Sequence, residues 1–273
     1  MANTEGEKRT TTMDDASPLI RARYTYTVIG TDTDILDRLT WQALFSYKQE
    51  SATVHAYELG MSAEVDRVDG VWLLRRSRAV WYQRPKFRDE VTVETWSRGV
   101  RLVTWLRDFH FYINGDFSKP AGVGSSEWIV ARRNGHKPIR PREIMSDDDI
   151  AALSTPQFTI DEKSPRLADL PALERPMLIR EIGYTDIDHN FHVNNTFYLK
   201  YGIDAVALFE KAKGTLSETG LDFLKVDVSY VRELSFGDTV SVYVSRGDDG
   251  YLVEGKNQGG ERCFLMALST LER

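Results

Sequence analysis

The sequence predicts an α+β fold in which one structural unit occurs twice along the chain. A pattern of strand, polar turn and strand in residues 82–93 recurs in residues 230–242, about 150 residues later. A helical segment lies upstream of each copy, and segments that alternate apolar and polar residues follow each copy. A long helix grouped with several antiparallel strands packs across one face of their sheet.

The first copy contains a long helix and a β-meander. Residues 40–59 place apolar side chains near one face at helical spacing, and Thr40 stands where an N-cap is expected. Residues 102–113 and 122–133 alternate as antiparallel strands do. We expect turn and capping roles for the three carboxylates that precede this helix, because Asp favours such positions: Asp32, Asp34 and Asp37.

The second copy repeats this order. Residues 196–209 place Tyr198, Tyr201 and Ala205 on one face at helical spacing, and residues 251–256 and 262–271 read as the strands of a second meander.

Composition divides the chain into four segments. Residues 1–20 are polar and Thr-rich, and we expect a disordered tail there. The first copy then occupies residues 21–140 and the second residues 175–273. Between them, residues 141–174 are polar and carry four prolines, which indicates a linker with one short helical turn near residues 147–153.

Several function classes are disfavoured by composition. No apolar run approaches the roughly 18–20 residues that a membrane span requires, and a net charge of −6 gives no support for nucleic-acid binding. The single cysteine, Cys263, permits no intramolecular disulfide, which favours a reducing cytoplasm. It lies in an apolar strand, where Cys usually packs as a small hydrophobe.

The side chains that carry chemistry are concentrated in residues 186–195, where a loop leads into the second helix. This run holds two carboxylates, two imidazoles and three carboxamides. If the loop is extended, Asp188, Asn190 and His192 point to the same side, because side chains alternate along an extended chain. A carboxylate, an amide and an imidazole that converge ahead of a helix N-terminus can activate water and stabilise an oxyanion. The run therefore predicts a hydrolytic site.

Three other interpretations of the run are weaker. A calcium-binding EF-hand loop needs Gly at its sixth position and Glu at its twelfth, whereas this chain has Phe191 and Phe197 there. His189 and His192 lack the further Cys or His partner that a zinc site needs. Helix capping and turn formation explain Asp186 and one of the two Asn residues before the helix, but not the whole cluster.

The run resembles the Asp-x-Asp-x-Asn-x-His-Val-Asn-Asn signature of the acyl-ACP thioesterases, which release fatty acids from acyl carrier protein. A second segment, Tyr230-Val231-Arg232-Glu233-Leu234, is similar to the Tyr-x-Arg-Glu-Cys stretch of the plant enzymes, with Leu234 in place of the Cys. The resemblance extends from about Ala22 to the C-terminus. It implies two tandem hotdog domains, each a long helix wrapped by an antiparallel sheet. It also implies hydrolysis of fatty acyl-acyl carrier protein to free fatty acid and holo-ACP.

We expect four residues of the second copy to be catalytic. Asp188 is the first choice for the carboxylate that activates water or attacks directly, His192 relays protons, and Asn190 holds the carboxylate or water. Glu233 is the alternative base, and the sequence does not decide between it and Asp188. Backbone N–H groups at the start of the second helix are candidate oxyanion donors. No cofactor and no metal are needed.

We expect the second copy to carry out catalysis and the first copy to contribute substrate binding, because the first has no His or Asn ahead of its helix. The resemblance implies that the acyl chain runs beneath the helix of the first copy, where Trp41 and Phe45 would contact it; Asn194 and Asn195 are the expected substrate-binding residues of the second copy. We expect structural or surface roles for the remaining histidines, His55, His110 and His136.

Two basic groups are candidate docking residues for an acidic partner, which the resemblance implies is acyl carrier protein. They are Arg84, Lys86 and Arg88 in one turn and Arg132 and Arg133 in another.

Three alternatives remain open on the sequence. An acyl-CoA thioesterase of the same fold differs only in the carrier of the acyl group. A non-catalytic acyl-thioester sensor would keep the acyl site without the polar cluster. A hydratase on a duplicated hotdog would also use an Asp–His pair.

A homodimer is possible because open sheet edges can pair.

Overall fold

The computed structural model describes residues 20–160, 167–171, 175–218 and 220–270. The tail expected in residues 1–20 lies outside the described residues except for Ile20, as do two parts of the expected linker. The described strands are β1 (Arg21–Thr27), β2 (Gly70–Trp81), β3 (Glu90–Arg101), β4 (Thr104–Ile113), β5 (Gly122–Arg132), β6 (Leu178–Glu181), β7 (Lys225–Tyr230), β8 (Thr239–Gly247), β9 (Gly250–Asn257) and β10 (Arg262–Ser269). The described helices are α1 (Trp41–Glu58), α2 (Met61–Arg67), α3 (Pro141–Ile144), α4 (Asp147–Ala152) and α5 (Asn195–Lys213).

The two copies share one ten-stranded antiparallel sheet, in the order β1-β3-β4-β5-β2-β7-β10-β9-β8-β6. Strands β2 and β7 join the copies, with Arg76 opposite Ser229 and Val80 opposite Lys225. The long helices α1 and α5 contact each other and pack on the strands of their own copies. The α+β fold and its duplication are therefore confirmed, and the sheet is continuous across the join.

Both long helices begin where their capping residues predict. The Thr40 side chain accepts a hydrogen bond from the backbone N–H of Ala43 at 3.2 Å, which satisfies one of the free N–H groups of the first turn. Asn194 caps α5 in the same way through the backbone N–H of Thr196 at 3.0 Å. The helical turn expected near residues 147–153 is α4, capped by Ser146.

The turns before the two long helices share contacts at positions that are 154 residues apart in the chain. Thr33 forms an isolated bridge with Leu39, and Ile187 forms the equivalent bridge with Val193. The hydroxyl of Tyr47 donates to Asp32 at 2.5 Å. The internal repeat therefore extends to individual backbone contacts in these turns.

Residues 154–159 of the expected linker pack against the face of the first-copy sheet opposite α1. The backbone N–H of Thr155 donates to Ser97 O at 2.9 Å, and Trp96 Nε1 donates to Gln157 O at 3.0 Å. The hydroxyl of Thr159 donates to the carboxylate of the buried Asp108 at 2.9 Å. This part of the chain completes the first copy instead of running free between the copies.

The face of the sheet beneath α1 is partly polar. The amine of Lys48 on this helix is buried and lies within hydrogen-bond distance of Ser77 Oγ (2.9 Å), Arg78 O (2.8 Å) and Ser125 O (3.2 Å). Burial lowers the pKa of Lys48 to about 7, with Arg78 acting in the same direction and Asp108 and Asp227 opposing it.

We expect the stability of the fold to rise with pH above neutrality because of Lys48. In the unfolded chain the amine stays protonated up to its ordinary pKa of 10.5, whereas the folded protein releases the proton near pH 7. The unfolded state therefore binds more protons in between, and the free energy of unfolding should increase by about 2–3 kcal/mol from about pH 7 to about pH 9. Urea unfolding across this range measures the slope. Lys48→Met should remove it, and an equal slope in the variant would refute the assignment.

None of the helices among the described residues is long and apolar enough to cross a membrane.

Candidate active site

A cavity of about 390 Å³ lies where the two copies meet. The first copy contributes the start of β2, Ile129 of β5 and the segment that follows β5. The second copy contributes the loop before α5, the first residues of that helix and the end of β7. All four predicted catalytic residues line this cavity: Asp188, Asn190, His192 and Glu233.

The loop that carries three of them is a tight turn, so the condition of an extended loop, under which the sequence aligned these side chains, is not met. The backbone N–H of Asp188 donates to His192 O at 2.9 Å, and that of Phe191 donates to Asp188 O at 3.0 Å. Phe191 adopts φ +66°, a left-handed conformation that non-glycine residues rarely take, and its side chain is exposed. The turn brings Asp188, Asn190 and His192 to one cavity, and alternation along a strand plays no part.

The carboxylate of Glu233 lies between two imidazoles. Its Oε2 atom is 3.1 Å from His192 Nε2 and 3.4 Å from His136 Nδ1. The two imidazole rings contact edge to face, with centroids 5.8 Å apart. His136 was expected to be a structural or surface residue, and no local signal in the sequence indicates its place. It reaches the cavity because it lies in the turn after β5, where Gly135 and His136 both have positive φ.

Asp188 and the start of α5 complete the polar wall. Asp188 Oδ1 accepts the backbone N–H of Asn190 at 2.8 Å, which fixes the carboxylate in the turn. The backbone N–H of Thr196 donates to the side chain of Asn194, and that of Phe197 donates to Asn194 O. Within the described part of the chain, the backbone N–H of Asn195 has no acceptor, and Asn195 lines the cavity. This N–H is the candidate oxyanion donor.

The equivalent turn of the first copy holds an ion cluster. Asp34 matches Asp188 in position and accepts the backbone N–H of Leu36 at 2.9 Å, as Asp188 does from Asn190. Arg38, which matches His192, contacts Asp34 at 2.9 Å. Arg84 lies 3.8 Å from the same carboxylate. The backbone N–H of Leu39 donates to Pro85 O, and that of Val193 donates to Leu234 O. These matched bonds place Arg84, the residue before Pro85, where the second copy has Glu233, the residue before Leu234. The first copy thus has the same framework with charges paired. The expected turn role of Asp34 is confirmed, whereas the carboxylate of Asp32 accepts the hydroxyl of Tyr47.

The predicted substrate-binding residues divide into two sets. Asn195 lines the cavity, and Phe45 lines a much smaller adjoining one together with Asn195 and Lys48. The Asn194 carboxamide is occupied in capping α5. Trp41 is buried against Phe45 and Trp81 in the core.

The predicted docking role of Arg84 is wrong. Its side chain is only 10% exposed, donates to Leu39 O and contacts Asp222 at 3.1 Å, which ties the first copy to the segment before β7. The sequence suggested an unpaired cation because Asp222 is 138 residues away in the chain and the other partner, Leu39 O, is a backbone atom. Lys86 and Arg88 are exposed. Lys86 and Arg88 lie beyond the Trp81 end of β2. The cavity is lined by β2 residues near the other end, from Trp72 to Arg75, roughly 20–30 Å along the strand from Trp81 at about 3.3 Å per residue.

Arg132 and Arg133 lie at the same end of β2 as the cavity and are about half exposed. Arg133 pairs with Asp66 at 2.7 Å and Asp69 at 3.7 Å, and Arg132 pairs with Glu143 at 3.5 Å. These acids offset much of the positive potential that the sequence suggested. Arg75 and Arg232, which line the cavity itself, add two cations at its rim.

Cys263 is buried, and burial raises the pKa of its thiol to about 11. It is therefore a thiol, not a nucleophilic thiolate, at neutral pH.

Two family models match most of the chain. Residues 21–147 match the acyl-ACP thioesterase N-terminal domain, and residues 177–263 match the acyl-ACP thioesterase C-terminal domain. A chloroplastic oleoyl-acyl carrier protein thioesterase of Coriandrum sativum is 23% identical over an alignment of 221 residues that covers 76% of this chain and 57% of the relative. A chloroplastic oleoyl-acyl carrier protein thioesterase 2 of Arabidopsis thaliana is 23% identical over an alignment of 252 residues that covers 85% of this chain and 68% of the relative.

Solved structures of similar fold cover nearly the whole chain. An acyl-ACP thioesterase from Bacteroides thetaiotaomicron superposes with a TM-score of 0.77 at 21% identity, over 91% of this chain and 97% of that one. A 12:0-ACP thioesterase from Umbellularia californica superposes with a TM-score of 0.78 at 16% identity, over 92% and 96%. At these identities the superpositions establish the shared fold.

Proposed function

The chain belongs to the acyl-ACP thioesterase family, and on that premise we propose that it hydrolyses fatty acyl-acyl carrier protein to free fatty acid and holo-ACP. The observation that carries the proposal is the cavity at the junction of the copies. Two sequence segments more than 40 residues apart bring a carboxylate, a carboxamide and an imidazole–carboxylate pair to its wall. An acyl-thioester sensor or binding module has no need of such a set.

In the proposed reaction, water attacks the thioester carbonyl carbon. Asp188 takes the proton from the attacking water, and Asn190 helps to hold that water in place. The carbonyl oxygen gains negative charge as the C–O bond forms, and the Asn195 N–H at the positive end of α5 stabilises it.

The tetrahedral intermediate then collapses with cleavage of the C–S bond. His192 gives a proton to the leaving sulfur, and the carboxylate of Glu233 at 3.1 Å orients the imidazole and stabilises its charged form. His136 holds the same carboxylate from the other side. Glu233 thus acts through His192, and Asp188 is the base.

An acyl-CoA thioesterase remains the second candidate, because the structure weakens the carrier-docking argument. Arg84 is internal and Arg132 and Arg133 are paired with acids. Arg75 at the rim is placed to meet the phosphate of the phosphopantetheine arm, which both carriers share, whereas Arg232 at the rim is paired with Glu261 at 2.9 Å.

The proposal is tested by thiol release from one acyl chain presented on acyl carrier protein and on CoA, across chain lengths. We expect faster release from the carrier protein. Equal or faster release from CoA would move the function to the second candidate, and no release from either would refute hydrolysis.

Two finer proposals concern the setting of the reaction. A reducing compartment such as the cytoplasm suits a chain with one cysteine, although the plant relatives are named as chloroplastic. A homodimer would pair the outermost strands β1 and β6, and sedimentation would detect it.

A further inference from the structure

The much smaller cavity that adjoins the catalytic cavity has a volume of about 10 Å³. The two share Leu74, Asn195 and Tyr230 in their walls, so the small cavity begins beside the proposed oxyanion donor. Its wall also contains Phe45 and Lys48 of α1. A volume of this size holds about one water molecule. The open space that continues from the catalytic cavity toward the underside of α1 is therefore very small.

The side chain of Lys48 spans the gap between α1 and the sheet, and it is 2% exposed. Its Nζ donates to Ser77 Oγ at 2.9 Å and Arg78 O at 2.8 Å on β2, and to Ser125 O at 3.2 Å on β5. Its Cε lies 3.3 Å from the position that a Cβ atom would take on Gly124 of β5. The stem of the lysine thus packs against the backbone of the sheet, and three oxygens hold its amine in place.

Aromatic rings fill the space around this lysine and toward the N-terminus of α1. Its Nζ lies 4.4 Å from the ring centroid of Phe45 and 4.9 Å from that of Phe109. The Trp81 ring contacts those of Trp41 and Phe111, with centroids 6.5 and 5.3 Å away. The side chains of these last three residues are at most 3% exposed. The N-terminal half of α1 is therefore packed tightly onto the sheet.

A third cavity, of about 90 Å³, lies beside the C-terminal half of α1, where Ala52 and Ala56 line it. Its wall shares Trp72 with the catalytic cavity and Trp128 with the small one. The Trp72 ring packs edge to face on Trp105, with centroids 5.6 Å apart. The Trp72 indole therefore separates the third cavity from the catalytic one.

We propose that Lys48 limits the length of the acyl chain, so that hydrolysis favours short acyl groups. This inference rests on the proposed function and names the substrates of the same site. A chain that extends from a thioester beside Asn195 toward α1 meets the anchored amine of Lys48. To pass, a longer chain would have to separate the amine from its three oxygen partners and leave them buried without a donor, which is unfavourable. The methylene groups of the chain offer the amine no acceptor in exchange.

Hydrolysis of octanoyl and hexadecanoyl groups on acyl carrier protein tests the proposal through the ratio of their kcat/KM values. We expect the wild type to favour octanoyl by at least about tenfold, because the longer chain must break the contacts of the amine. Lys48→Ala opens the gap and should raise the hexadecanoyl-to-octanoyl ratio by at least about tenfold. Lys48→Met should raise it in the same direction, because Met lacks the three hydrogen bonds and is flexible. This second variant keeps the test available if Lys48→Ala does not fold.

Leu44→Ala is the matched control, since it also removes a buried side chain of α1 but at a position that lines none of the three cavities. The ratio should stay within a few-fold of wild type in this variant. A wild type that favours hexadecanoyl would overturn the proposal. So would an unchanged ratio in both Lys48 variants, or an equal rise in Leu44→Ala and Lys48→Ala.

Binding of non-hydrolysable thioether analogues of the two substrates, measured by calorimetry, separates this proposal from the proposed function. If neither thioester is hydrolysed but the wild type binds the octanoyl analogue more tightly and Lys48→Ala loses this preference, the proposed function fails and the length limit stands. If both thioesters are hydrolysed with the same ratio in the wild type and the Lys48 variants, the length limit fails and the proposed function stands.

Discussion

Asp188→Asn is expected to lower kcat/KM for acyl-thioester hydrolysis by about 10²–10⁴-fold, because the carboxamide cannot take the proton of the attacking water. The fold should persist. The Asn carboxamide oxygen can still accept the backbone N–H of Asn190, which is the contact that fixes the turn. Thiol release under kcat/KM conditions measures the loss, and circular dichroism checks the fold.

The chain supplies a matched control at Asp34. This residue makes the same turn contact in the first copy, and its carboxylate is paired with Arg38. Asp34→Asn should therefore leave kcat/KM within a few-fold of wild type, although it removes an ion pair. Equal losses in the two variants would mean that Asp188 acts only through the turn, and the assignment of the base would then fail.

Glu233→Gln should lower kcat by about 10²-fold, the lower part of the range for acid–base groups. The carboxamide can still contact His192, but it no longer stabilises the charged imidazole that donates to sulfur. Since the proposed role of Glu233 falls in a step after substrate binding, KM should change little. His136→Asn should have a smaller effect, below about tenfold, because His136 reaches the reaction only through Glu233; Asn tolerates the left-handed backbone of that position.

Glu261→Gln is the control for this change. Glu261 is an exposed carboxylate that pairs with Arg232 at 2.9 Å and does not line the cavity. The Glu261→Gln substitution should therefore leave kcat unchanged. A wild-type kcat in Glu233→Gln would show that the 3.1 Å contact with His192 has no part in the reaction.

The helices and the duplication were predictable because their signals are local and repeated. Helical spacing, the caps Thr40 and Asn194, and the recurrence of one pattern gave α1, α5 and the two copies. The meeting of Asp188, Asn190, His192 and Glu233 in one cavity was expected, and the structure confirms that they share it.

What the sequence could not give depends on long-range contacts and on rare backbone conformations. Phe191 gives no sign of a positive φ, since the left-handed region is unfavourable for bulky residues. His136 reaches Glu233 from almost 100 residues away, and Arg84 meets Asp222 from 138 residues away. Whether a charged residue is exposed or paired inside the fold depends on such partners.

The first copy clarifies what catalysis requires beyond the fold. Both copies build the same turn. In the first copy Arg38 and Arg84 pair with Asp34, whereas in the second copy His192 and Glu233 pair with each other and share a cavity with Asp188. The oxygens of Asp34 are occupied by these guanidinium groups and by the backbone N–H groups of Leu36 and Arg38, so this carboxylate is not free to bind and activate a water. Replacement of these two cations by an imidazole and a carboxylate accounts for the restriction of the proposed chemistry to one copy.

A double-mutant cycle tests most directly the claim that Asp188 and Glu233 serve one hydrolytic site. Single-turnover thioester hydrolysis would be measured for the wild type, Asp188→Asn, Glu233→Gln and the double variant. Groups that act as a unit are strongly non-additive, so the double variant should lose about as much rate as Asp188→Asn alone. Losses that multiply would show that the two carboxylates act independently, and a wild-type rate in the double variant would place the reaction elsewhere.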